Sequence, residues 1–269
     1  MRVGHVWGVK SPAAAQAFAY KVHKLVQRYA GMSASASHPF RALWRGAAAR
    51  TSGFDRGDKL IKDSAADTAR REAIVEKLES DHVNMAASWV PADNPVKVHV
   101  VYHAVRDEAT AHKILDGGFA ALQRLDPGWY GRGVYFSHSL RYPCTVYGAR
   151  DDDGYKTVLA CLVATGNPYP VVPKEGPSRG WGDAGHPSDN VARPQSISNQ
   201  PMATRHDAHV TYVKFEYDAG FDPHAPKPEG HLLPVKRRED LAEPWAHSEV
   251  VIADESQVLP VAILKVKNI

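Results

Sequence analysis

The chain of 269 residues has only two cysteines, Cys144 and Cys161. That excludes a disulfide framework and a cysteine-based metal site, and it fits a reducing, intracellular location such as nucleus or cytoplasm. No apolar run approaches the ~20 residues needed to span a bilayer, so no membrane association is expected. No apolar stretch of the secretory-leader kind follows Arg2. Acids are missing from the start of the chain, where the first is Asp55. Residues 1–62 hold eleven Lys/Arg against Asp55 and Asp58, a net charge of +9, while the remainder nets −6. An acid-free, Ala/Ser/Arg-rich start has the composition of an organelle transit peptide, which makes the mitochondrion the alternative location. It suits contact with nucleic acid or another polyanion equally well, or a solvated helical lobe.

What is present is ordinary for a globular chain: 43% hydrophobic and 23% charged residues. Ser11-Pro12 reads as a helix start, with the hydroxyl as N-cap and proline at the first position. Phe18, Val22, Leu25, Val26 and Tyr29 follow at helical spacing, and Gly31 marks a stop. Residues 32–58 read as loop, and a second helix is expected from about Ser64. The expected organisation is a basic, mostly helical N-terminal extension over residues 1–95, then a domain over 96–269.

From Val96 the pattern turns to period two. Val96–Tyr102, Val134–Ser137, Thr157–Ala164, His209–Tyr217, Glu249–Ala253 and Val261–Val266 read as strands. Thr157–Ala164 is apolar throughout, as a strand buried on both faces must be. Asp107–Leu115 reads as a helix capped by Asp107 and closed by Gly117-Gly118. Residues 166–206 and 218–246 read as long irregular connections, a feature that usually carries function. Many short strands with few helices indicate an α+β fold rather than a doubly wound sheet.

Two segments carry chemistry. Tyr130-Gly131-Arg132-Gly133-Val134-Tyr135-Phe136-Ser137 reads as a tight glycine turn running into a strand, where a ligand can approach the backbone. Val100-Val101-Tyr102-His103-Ala104 places a histidine at a strand end about thirty residues upstream. Taken singly, His103, Tyr135 and Glu249 have bland readings as a surface or core histidine, a core tyrosine and a solvated edge acid. Glu255 competes with Glu249, but Glu249 heads an apolar strand whereas Glu255 lies in a turn.

Together these segments resemble the catalytic domain of the poly(ADP-ribose) polymerase group of ADP-ribosyltransferases, over residues 97–269. His103 stands where that family has His-Gly-Thr/Ser. Tyr135 stands in a segment similar to Gly-Lys-Gly-Ile-Tyr-Phe-Ala/Ser. Glu249 opens Glu-Val-Val-Ile-Ala-Asp-Glu-Ser-Gln-Val-Leu-Pro, similar to the family's third landmark. Gly166-Asn167-Pro168-Tyr169 resembles the start of its donor-site loop.

The resemblance implies a split, antiparallel-rich sheet with flanking helices, and an enzyme that consumes NAD+ without a metal. It implies Glu249, His103 and Tyr135 as catalytic residues. His103, Ala104, Tyr130, Gly131, Gly133, Tyr135 and Tyr147 would bind NAD+, with Tyr147 stacking on nicotinamide. The acceptor would be a protein or a nucleic acid. Two positions depart from the family pattern: Ala104 replaces a glycine that grips the nicotinamide amide, and Pro143 falls near a serine that donates to it. Ser139 and Thr145 are the candidate substitutes for that serine. The rivals are an RNA 2′-phosphotransferase-like enzyme, which needs more basic residues than Arg106, Arg132 and Arg141, and a silent NAD- or ADP-ribose-binding module.

Overall fold

In the computed structural model the described residues are 2–29, 65–81, 96–119, 128, 130–172, 197, 200–203, 206–213 and 247–267. The strands are β1 (Arg2–Gly8), β2 (Val98–Val105), β3 (Val134–Phe136), β4 (Lys156–Ala164), β5 (Pro168–Pro170), β6 (Ala208–Val213), β7 (His247–Ile252) and β8 (Val258–Lys267). The helices are α1 (Pro12–Tyr29), α2 (Ala65–Asp81), α3 (Glu108–Gly117) and α4 (Arg141–Val146). Gly31, Ser64, the 32–58 and 218–246 loops and the end of the strand expected to reach Tyr217 lie outside the described residues. Among those residues, no helix is long and apolar enough to cross a membrane.

Two four-stranded sheets form, in the orders β1-β8-β4-β2 and β3-β7-β6-β5. Every pairing is antiparallel except β5 with β6. The architecture is thus mixed α/β with two antiparallel-rich sheets. The sheets meet at their edges, where Tyr102 of β2 and Ser137 after β3 exchange backbone hydrogen bonds of 2.7 and 3.0 Å. That seam positions the site.

β4 shows why the fold closes. Its odd residues Leu159, Cys161 and Val163 enter the main core between the sheets, while Val158 and Ala160 face a second cluster with Ala104, Cys144 and Leu264. Period-two alternation therefore buries both faces, as the unbroken apolar run requires. A further polar chain runs from Ser248 Oγ to His138 Nδ1 at 2.7 Å, then from His138 Nε2 to His99 Nδ1 at 3.0 Å. It links β7 to β2 across the seam.

α3 is capped as its sequence dictates. The Asp107 carboxylate accepts from the Thr110 amide at 2.7 Å, and Gly118 closes the helix at φ 81°. These bonds, with Arg106 beside it, hold the Asp107 carboxyl down to about 2.

The expectation of a mostly helical N-terminal stretch needs correction at its start. Arg2–Gly8 forms β1, which pairs with β8 at the edge of the first sheet. All seven of its residues are exposed, so no buried alternation announced it. α1 packs on the same body: Phe18, Val22, Leu25 and Tyr29 join Val96 and Ala164 in one cluster. Burying each such side chain contributes about 2 kcal/mol. Two of its cations are tied down as well, Lys21 to Asp254 and Arg28 to Asp207, each at 2.8 Å. Asp207 also accepts from the Tyr29 hydroxyl at 2.6 Å and from the Asn167 amide at 2.9 Å. The helix thereby reaches the Gly-Asn-Pro-Tyr segment directly.

Candidate functional site

His103 lies inside β2 rather than at a strand end, because Ala104 and Val105 continue the pairing onto Val158 and Thr157 of β4. Its ring sits 5.4 Å from Phe119 and 5.5 Å from Phe136. Its Nδ1 donates to the Tyr135 carbonyl at 2.8 Å. Desolvation lowers the His103 pKa, opposed by that hydrogen bond. The neutral ring therefore carries its proton on Nδ1 and keeps Nε2 as an acceptor.

The glycine turn is braced from three directions. The Tyr135 hydroxyl donates to the Gly131 carbonyl at 2.7 Å and accepts from the Tyr130 amide at 2.8 Å. The Arg132 amide donates to the Gln200 carbonyl at 2.7 Å. His209, fully buried on β6, donates from Nδ1 to the Tyr130 carbonyl at 2.8 Å and accepts at Nε2 from the Ala203 amide at 2.9 Å. Burial lowers the His209 pKa to about 4. Gly131 adopts φ 101°, and a Cβ there would strike the His209 ring. At Gly133 a Cβ would lie 2.6 Å from the Ile252 carbonyl, so only glycine lets β3 enter beside β7. The glycines serve the tight turn that their sequence suggests.

β7 supplies the acid. Ser248, Val250 and Ile252 face the interior between the sheets, so Glu249 and Val251 point to the other side with Tyr135. Glu249 is 3% exposed. The Tyr142 hydroxyl, from α4, donates to Glu249 Oε1. Burial first, then the Glu249 charge, raises the pKa values of both Tyr142 and Tyr130. Both phenols therefore stay neutral at working pH, so Tyr142 remains a donor.

These strands frame a cavity of about 390 Å³ along the seam. His103, Ala104, Gly133, Tyr135, Tyr147 and Glu249 line it. Tyr130 and Gly131 do not: they brace the turn behind it. Tyr135 contributes to the wall, while its hydroxyl is hydrogen-bonded inside its own turn. Tyr147 ends α4 and stays 43% exposed at the rim. Glu255 lies in a 3₁₀ turn beside Gly118, exposed and outside the cavity.

Pro143 does line the cavity, and Ser139 does not. The Thr145 side chain lies outside the described residues. A serine hydroxyl is nonetheless present in the cavity wall at Ser137, buried next to Phe136. Sequence reasoning passed over Ser137, although it ends the Tyr-Phe-Ser run. It also missed Tyr142 and Thr110, both in the lining, and weighed Arg106 only for the phosphotransferase rival. No local signal marks Tyr142, which meets Glu249 across 107 positions of sequence.

Among the described residues, no group of three or more His, Cys, Asp or Glu could hold a metal ion. The cavity can offer an acceptor nitrogen, aromatic walls, and one buried carboxylate with a neutral donor upon it.

Comparison with protein-family models and with curated proteins finds no match. Among solved structures the chain is similar to the PARP domain of Arabidopsis RADICAL-INDUCED CELL DEATH1, at 11% identity and a TM-score of 0.42. The alignment covers 99% of this chain and 87% of that one. That likeness is too distant to carry an argument about function.

Proposed function

We propose that this protein is an NAD+-consuming ADP-ribosyltransferase, which cleaves the nicotinamide–ribose bond and passes ADP-ribose to a protein or nucleic-acid acceptor. One observation carries the reading: His103, Tyr135 and Glu249, from three separate strands, line a single cavity in which the only acid among the described residues is buried. Breaking the nicotinamide–ribose bond builds positive, oxocarbenium-like charge on the ribose. A carboxylate fixed in a desolvated wall stabilises that charge far better than one in water. Glu249 takes this role and accepts a hydrogen bond from a ribose hydroxyl. His103 Nε2 accepts from the adenosine-side ribose, while Tyr135 and Tyr147 supply aromatic surface to nicotinamide. Nicotinamide leaves with the bonding electron pair, and the acceptor's nucleophile attacks the ribose carbon. Either one ADP-ribose unit or a polymer is within this chemistry.

The test is nicotinamide release from NAD+. Wild-type protein should release it, and Glu249→Gln should lose most of the rate; equal turnover in that variant removes Glu249 from the role. The second reading is a silent NAD-binding module, favoured by Ala104 and Pro143 in the wall. Thermal stabilisation by NAD+ without nicotinamide release would select it. The 2′-phosphotransferase reading fares worse, because Arg106 is the only arginine among the described residues of the lining. Polyanion contact through residues 1–62 remains part of the proposal, with binding expected to weaken steeply as salt rises. In α1 it would fall on Lys24 and His23, since Lys21 and Arg28 already face acids. An intracellular location, nuclear or cytoplasmic with mitochondrial import as the alternative, belongs to the same proposal.

A further inference from the structure

We infer that Tyr142 is a positioning residue for Glu249: its buried hydroxyl holds Oε1 and sets the direction in which the carboxylate meets the cavity. The inference rests on the ADP-ribosyltransferase reading of the site. Three observations support it. The hydroxyl donates to the carboxylate, and both residues are buried, at 6% and 3% exposure. The ring cannot swing freely, because His247 stacks on it at 5.5 Å and 22°. Its helix is anchored by Cys144, which is buried with Ala104 and Val158 beneath the first sheet.

The physical consequence follows from where the charge lies. A neutral phenol that donates to a carboxylate favours the ionised form and restricts its torsions. Among the described residues, the phenols that feel the Glu249 charge include Tyr142 of α4 and Tyr130 of the turn, both neutral. Neither substitutes for the other, since the hydrogen bond belongs to Tyr142. A residue that merely filled space would leave the ionisation of Glu249 unchanged when its hydroxyl alone is removed.

The experiment compares wild type with Tyr142→Phe in the full chain, by two readouts. Carbon-13 labelling of glutamate follows the Glu249 carboxyl through a pH titration, assigned by its loss in Glu249→Gln. Nicotinamide release is measured across pH at saturating and limiting NAD+. The Glu249 midpoint should rise by about one pH unit in Tyr142→Phe. The acid limb of kcat should move up with it, and kcat at neutral pH should fall about tenfold or more while KM changes little. Replacing Tyr142 with 3-fluorotyrosine keeps the ring and hydroxyl but strengthens the donor, so both midpoints should move down. This second variant decides the question if Tyr142→Phe fails to fold. Unmoved midpoints in the variant that folds would overturn the inference while leaving the enzyme reading intact. Absence of nicotinamide release from wild type would instead remove the enzyme reading, and the catalytic meaning of Tyr142 with it.

Discussion

Two cavities of similar size, about 390 and 460 Å³, lie on the molecule and have opposite chemistry. The one at the seam has, among the described residues, a single carboxylate, buried on β7 and met by a buried phenol. The other lies between β1 and α3, where Glu108, His112 and Asp116 follow one helix face toward solvent with Lys10 opposite. It holds more charged groups, yet each is exposed and screened, and the Glu108–His112 contact spans 3.8 Å. Exposed pairs of this kind contribute little. The difference teaches that the count of polar groups does not make a site. Desolvation does, because it converts a few groups into fixed and strongly interacting ones.

Substitution of the two acids should break that symmetry most plainly. Glu249→Gln should lower nicotinamide release by roughly a thousandfold, whereas Asp116→Asn should leave it within experimental error. A matching loss at Asp116 would reverse the assignment of the two cavities.

Backbone fit should give the next largest effect. Gly133→Ala places a methyl 2.6 Å from the Ile252 carbonyl, so it should cost about 1–3 kcal/mol in denaturant unfolding. Gly8, with nothing within 4 Å of an added Cβ, should accept alanine with little change. Equal costs at the two glycines would show that the turn does not pack as described.

Protonation sharpens the contrast further. His209 has a folded pKa of about 4 against an ordinary 6.5, so the unfolded chain takes up its proton first as pH falls. Its contribution is complete above pH 6.5 and is lost progressively between 6.5 and 4, on the order of 3 kcal/mol in all. Stability of His209→Gln should fall less steeply over that window, as thermal melts at several pH values would reveal. The smallest effect belongs to Lys10→Ala, which should alter stability by less than about 0.5 kcal/mol.

Much of the fold was legible because burial follows sequence period. The apolar runs of β4 and β7 and the Asp107 cap of α3 form elements close to where their residues place them. β1 was not legible: its residues are exposed on both faces, and its partner is at the far end of the chain. β5 was hidden for another reason, since two of its three residues are prolines, which ordinarily argue against a strand. It lies within the stretch read as one long connection.

The site divides along the same line. His103, Tyr135 and Glu249 each belong to a recognisable strand pattern, and the cavity is lined by all three. Tyr130 and Gly131 belong to the same motif but brace it from behind, a division of labour that spacing alone does not express. Tyr142 was invisible because it sits in a six-residue helix with a proline inside it, and its partner lies far along the chain.

The most direct test is incubation of the full chain and of Glu249→Gln with NAD+ labelled in the nicotinamide and in the adenosine moiety. Wild type should release free nicotinamide and leave adenosine label on an acceptor or on itself, and the variant should do neither at a comparable rate. Binding of NAD+ with no nicotinamide release from wild type, or equal release from both proteins, would contradict the role given to the buried carboxylate.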